Sequence, residues 1–366
     1  MLKYQEALLK DRTRPGERDS LARWQLIQPL LPQTGLVLDV GSNLGYFGVR
    51  MTDASAGIAV VSLESDPQII SRQKAVLKSH QQTRVCAIQG KLNGELAEDW
   101  AQYCDWFDVT LLLSIIHWFD DPEKVVRALS SMSGKIIAEV PDHKDAGACG
   151  QAKLALWGAD PVAWFAAVTQ RPCRHLGRVS RHTSETDSHM ILIEGPVQRT
   201  STQPYWDYAA RHPKGNSYRF DFDGQALRFY RRDKPLAYRP GVNLVSLSKL
   251  GRLTWPRAKH WRAMGFALID SDREHTDPRP HNMIWGPEGI EFIDKHDLDS
   301  GNQPAVVKSI FRRHIKIWAA RPGAGSRHYV PVLPLWKKLT WVWPKAVLRK
   351  MLPEKIFLAI KSRFSL

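Results

Sequence analysis

Residues 37–49 read VLDVGSNLGYFGV. An apolar run carries one acid, Asp39, then turns through Gly41 and Gly45 and resumes with Tyr46, Phe47 and Val49. Glycine lets the backbone turn tightly and approach a ligand where side chains would clash. A helix opening there points its first amides at that ligand. Working outward, GLVLDV (35–40) is a short apolar run ending at a Gly turn, as expected of a strand buried on both faces. GIAVVSLE (57–64), FDVTLLLS (107–114) and GKIIAEV (134–140) repeat the form. Helical spacing is expected over 20–31, with Ser20 as its cap, over 67–80 and over 121–132. Alternating strands and helices predict an α/β fold with a doubly wound, Rossmann-like sheet. CRHLGRV (173–179) and HMILIEG (189–195) are close enough in sequence to close it as an antiparallel pair. The polar, Pro-containing VQRTSTQPYW then marks a boundary near residue 197.

Glu64 ends the strand after the glycine turn. A carboxylate about 20 residues beyond such a turn accepts hydrogen bonds from ribose hydroxyls in dinucleotide folds. The turn, this acid and the later SIIHWFDDP (114–122) are together more specific than a glycine turn alone. Over roughly residues 15–197 the chain resembles the class I S-adenosylmethionine-dependent methyltransferases. The resemblance implies that Asp39, Gly41, Asn43 and Gly45 surround the amino-acid end of S-adenosylmethionine, and that Glu64 holds its ribose. Asn43 stands where many members have Gly. His117 follows a strand at the lip where acceptors bind in open α/β sheets. It reads either as a base taking a hydroxyl proton or as a wall residue beside Trp118 and Phe119. An acceptor that is already an anion, such as a phosphate, needs no base.

The second half differs. NSYRFDFDGQALRFYRR (216–232) holds two strand-like runs around Asp223-Gly224, a hairpin signal. TWPRAKHWRAMGFALI (254–269) reads as a helix with Thr254 as cap and Pro256 in its first turn. HTDPRPHN (275–282) follows, then MIW, the turn GPEG, and IEFID ending at Asp294. Asp277 and Asn282 are five apart, the spacing by which kinases place a catalytic base and a magnesium ligand, and Asp294 falls where the second metal carboxylate belongs. Phosphoryl transfer needs metal ions there because its transition state spreads negative charge. Residues 254–299 thus resemble a kinase catalytic lobe, implying ATP and Mg2+ as ligands. ALRFYRR offers arginines where a kinase places its strand lysine, and Lys-His-Asp follows Asp294. The lobe reads either as active or as a degenerate one kept for substrate binding. Methyltransferase followed by kinase-like lobe resembles the bifunctional chain terminators of bacterial O-antigen polysaccharides. That family implies a lipid-linked glycan or phosphoglycan acceptor in cell-surface (lipopolysaccharide) biosynthesis. A non-enzymatic membrane scaffold is the remaining alternative, opposed by the intact Asp39–Gly45 turn and Glu64.

The formal net charge of +15 favours anionic partners. Four scattered cysteines without a CxxC pair argue against a disulfide framework or a zinc knuckle. The charged N-terminus lacks the apolar region of a signal peptide, and no apolar window reaches the length of a spanning helix. A cytoplasmic protein is expected. Residues 328–366 carry eight Lys/Arg against one acid, with Trp336, Trp341 and Trp343. That pattern fits an anchor on an anionic membrane surface, peripheral on its inner face, or a helix packed on the second lobe. Nucleic acid competes less well, since no binding motif accompanies the charge. The expected organisation is 1–197 methyltransferase domain, 198–327 small α+β kinase-like domain and 328–366 basic tail.

Overall fold

The structure is a computed structural model. It describes residues 5–9, 12–101, 106–145, 151–181 and 185–197; and, beyond them, 218–222, 227–231, 234–235, 242–244, 247, 250–253, 255–271, 283–287, 289–292, 308–309, 311–313 and 315–316. Asp277, Asn282, Asp294, Thr254 and the tail 328–366 lie outside the described residues.

The main sheet is built on β3 (Thr34–Val40), β4 (Gly57–Glu64), β5 (Val85–Gln89), β6 (Phe107–Leu113) and β7 (Ser133–Pro141), all parallel. β8 (Cys173–Val179) and β9 (Ser188–Ile193) pair antiparallel, and β9 runs antiparallel to β7. The order is β5-β4-β3-β6-β7-β9-β8, with one more strand, β14 (Arg252–Leu253), antiparallel on the β5 edge. Six of the seven residues of β3 are buried, which fits a strand covered on both faces. α1 (Ser20–Ile27), α2 (Tyr46–Ala54) and α3 (Pro67–Ser79) supply Trp24, Ile27, Phe47, Val49, Val76 and Leu77 to one core layer. α4 (Gly94–Ala101), α5 (Pro122–Ser130) and α6 (Pro161–Thr169) supply Trp100, Val125, Leu129 and Phe165 to the other. This is the doubly wound sheet the alternation predicts. Its order reverses between β3 and β6, and ligands bind at the carboxyl ends of strands at such a switch point.

Two local expectations are corrected. The cap of α1 is Asp19, whose carboxylate accepts from the Ala22 amide at 2.9 Å; Ser20 already lies inside the first turn and its hydroxyl turns back to the Arg18 carbonyl. α1 ends at Ile27, and a 3₁₀ turn with Pro29 covers 28–30. Two elements that the sequence pattern does not mark, β5 and α4, complete this part of the fold. The chain opens on a short hairpin, β1 (Ala7–Leu9) with β2 (Arg12–Arg14), that touches α2 and α3.

Farther along, β10 (Tyr218–Phe222) and β11 (Leu227–Arg231) form the hairpin expected around Asp223-Gly224, extended by β12 (Lys234–Pro235). A helix, α7 (Trp255–Ser271), precedes a second hairpin of β15 (Met283–Gly286) and β16 (Gly289–Phe292), and β13 (Val242–Asn243) pairs with β15. Beyond residue 197 the chain therefore returns to the main sheet through β14. Leu244, Leu247, Leu250, Trp261 and Trp285 join the same buried cluster as Leu92 and Trp100. Among the described residues no helix is long and apolar enough to cross a membrane.

Candidate active site

A cleft of about 780 Å³ opens at the carboxyl ends of β3, β4, β5 and β6. One wall is the turn after β3. The amides of Gly41 and Ser42 donate to the Leu63 carbonyl at 2.8 and 3.0 Å, which ties the turn to β4. Gly41, Asn43 and Gly45 all have positive φ, at 75°, 51° and 82°. Asn is among the few residues with a side chain that tolerate this region, so Asn43 serves where Gly is commoner. A Cβ on Gly41 would meet Ile115, and one on Gly45 would meet Gln73, each at 3.0 Å. Gln73 is fully buried and donates to the Ser42 hydroxyl at 3.0 Å, backing the turn from α3. Gln5 accepts from the Leu44 amide at 3.0 Å, so the N-terminal segment also holds the turn.

Glu64 faces this turn. Its Oε2 accepts from the Asn43 amide at 3.0 Å and its Oε1 from the Asp66 amide at 2.9 Å. Oε1 also accepts from the Ser65 hydroxyl at 3.4 Å. Each carboxylate oxygen has about two acceptor positions, so Oε2 keeps one for a ligand hydroxyl. Asp39 lies deeper, with Oδ2 unpartnered; burial, with the charge of Glu64 adding to it and that of Arg18 opposing it, lifts its carboxyl to about 7. Orphaned polar atoms behind a glycine cradle fit a site built for a polar ligand.

The floor is a buried ion cluster. Glu139, on β7 and fully buried, pairs with Arg18, and Arg23 forks onto it at 2.7 and 2.8 Å. Burial alone would raise the Glu139 carboxyl. The charges of Arg18 and Arg23 and the hydroxyl of Ser114 outweigh it and hold it well below the usual carboxylate range. Ser114 sits at φ 57°, held by its amide on the Glu139 carbonyl at 3.1 Å and its hydroxyl on Oε1 at 2.7 Å. Such strain persists only where the surroundings over-determine it. The far wall follows β6: His117 is 4% exposed with Nδ1 unpartnered, and the next residue, Trp118, is 50% exposed at the rim. Burial, with Arg181 close by, lowers His117 to about 4. Arg181 lines the same wall and bridges Asp145 at 2.8 Å.

The structure thus brings Gly41, Asn43, Glu64 and His117 to one cleft, with Asp39 and Gly45 immediately behind it. Arg18, Arg23, Glu139 and Arg181 were missed in the sequence. Glu139 carried a signal, as the one charge within the apolar stretch IIAEV, because a charge in a buried strand needs a partner. Among the described residues no group of three His, Cys, Asp or Glu is placed to hold a metal ion.

Strand order and cleft together define a doubly wound, Rossmann-like fold with its cleft at the switch point. No family model matches the chain, and no curated protein matches it. Among solved structures it is similar to the bifunctional kinase-methyltransferase WbdD, at 14% identity and a TM-score of 0.41, over 95% of this chain and 89% of that one. It is also similar to the N-terminal domain of EvdMO1 with S-adenosylhomocysteine bound (14%, TM-score 0.37, 48% of this chain and 81% of that one). A third is a precorrin-6y C5,15-methyltransferase from Geobacter metallireducens GS-15 (12%, TM-score 0.35, 48% of this chain and 88% of that one).

Proposed function

We propose that the cleft binds S-adenosylmethionine and that the chain transfers its methyl group to an oxygen of a glycan or phosphoglycan. The observation that carries the first part is Glu64, hydrogen-bonded to the left-handed turn after β3 with an acceptor position left over on Oε2. When bound, S-adenosylmethionine supplies a methyl on a sulfonium. Gly41, Asn43 and Gly45 give its amino-acid end backbone rather than side chains to lie against, with Asp39 behind, and Glu64 takes its ribose hydroxyls. The Arg18–Glu139–Arg23 cluster fixes the floor between turn and far wall.

His117 bears on which acceptor suits the cleft. A general base works best with a pKa near the operating pH. At about 4, His117 is neutral at pH 7 and takes a proton poorly. That favours an acceptor oxygen already ionised, such as a phosphate, for which His117 is wall and hydrogen-bond partner rather than base. The finer part, a lipid-linked glycan of cell-surface polysaccharide with a phosphotransferase second half using Asp277, Asn282 and Asp294, rests on motif order and spacing in the sequence. Thermal shift separates the two halves, because a ligand stabilises only a fold that binds it. S-adenosylhomocysteine should raise the melting temperature, and magnesium–ATP should do so independently. No shift with the first would sink the methyltransferase reading. No shift with the second would leave the second lobe a degenerate, substrate-binding one.

A further inference from the structure

The edge of the main sheet at β5 is finished by β14, more than 150 residues away in sequence. Arg252 pairs with Gln89 and Leu253 with Ile88. The crossing is too close for side chains: a Cβ on Gly90 would overlap the Leu250 carbonyl, and one on Gly251 would overlap the Gln89 carbonyl. Gly90 is no remote residue. It lines the cleft, its neighbours Lys91 and Leu92 do too, and its amide donates to the carbonyl of Glu64 at 2.9 Å. Leu92 also shares a buried cluster with Leu247 and Leu250. Along the cleft, the glycine turn follows β3, Glu64 ends β4 and Gly90 follows β5. A ligand with its amino-acid end at the turn and its ribose at Glu64 places its base against 90–92.

We infer that residues 250–253 are positioning residues of the cofactor site: the second half of the chain holds the wall against which the base of the methyl donor lies. This rests on the cofactor reading proposed above. Coupling between two sites is reciprocal. If residues 250–253 hold the wall, a ligand on the wall must in turn stabilise residues 250–253.

Hydrogen exchange on the full chain with and without S-adenosylhomocysteine tests this. Exchange should slow in peptides covering 39–45 and also in those covering 250–253. Calorimetry on variants adds a second test. Gly251→Ala should weaken S-adenosylhomocysteine by about tenfold, within the usual range of coupling between sites. Gly265→Ala, whose Cβ would press on Phe311 within the second half, should lower the melting temperature and leave that affinity unchanged. Slowing confined to 39–45 would overturn the inference while leaving the cofactor reading intact. Equal loss of affinity in both variants would also overturn it, in favour of general destabilisation. No slowing anywhere would remove the cofactor reading and this inference with it. Should Gly251→Ala fail to fold, exchange in the wild-type chain still decides.

Discussion

His117 shows how much one residue's environment changes its meaning. Its position after β6 is legible in the sequence, but its role is not, because sequence carries no burial. Buried near Arg181 and lowered to about 4, it is not expected to titrate near neutrality. Once an acceptor is in hand, the pH dependence of kcat/KM should show no ionisation between pH 5 and 8 that His117→Ala removes. A limb near 6.5 abolished by that variant would restore the base role. Stability carries the same sign. The unfolded chain protonates this residue at about 6.5, so the stability contributed by its neutral form is present above that value and lost as pH falls toward 4. Asp39 runs the other way: raised to about 7, it favours the fold below the ordinary carboxylate range, and that contribution is lost as pH rises through 7. Neither sign follows from the letters D and H at those positions.

At the scale of elements, what could be read was what burial had written as pattern. β3, β4, β6 and β7 are mostly apolar runs, and their bounds fall within a residue or two of the expected ones. β5 left little signal because VCAIQ is only five residues long and ends in Gln. α1 looked like an ordinary amphipathic helix, yet its Arg23 faces inward to Glu139, a partner 116 residues on. Long-range pairing of that kind leaves no local trace. It should nonetheless dominate the cluster's energetics. Removing one member of a buried ion pair leaves uncompensated charge and costs about 3–5 kcal/mol. Glu139→Gln should therefore lower urea stability by that amount at pH 7. The difference should shrink as pH falls below the unfolded carboxyl range near 4.3, because a depressed carboxyl gives its stability above that range. A variant within about 0.5 kcal/mol of wild type, the ordinary effect of a surface change, would show that the cluster contributes no net stability.

Across the whole molecule, the sequence predicts two chemistries in succession and a division near residue 197. The structure shows that the chain beyond that point completes the edge of the first sheet and shares its core. β14 is two residues long, too short for any periodic signal, so its place could not be read in advance. The cleft between the glycine turn and Glu64 is the proposed seat of the methyl donor. Titration calorimetry of S-adenosylhomocysteine into the 366-residue chain and its Glu64→Ala variant tests that most directly. Micromolar affinity, about −8 kcal/mol, is predicted for the wild type, weakened in the variant by about 1–3 kcal/mol through the lost ribose hydrogen bonds. Binding of equal strength to both proteins, or no heat of binding to the wild type, would contradict it.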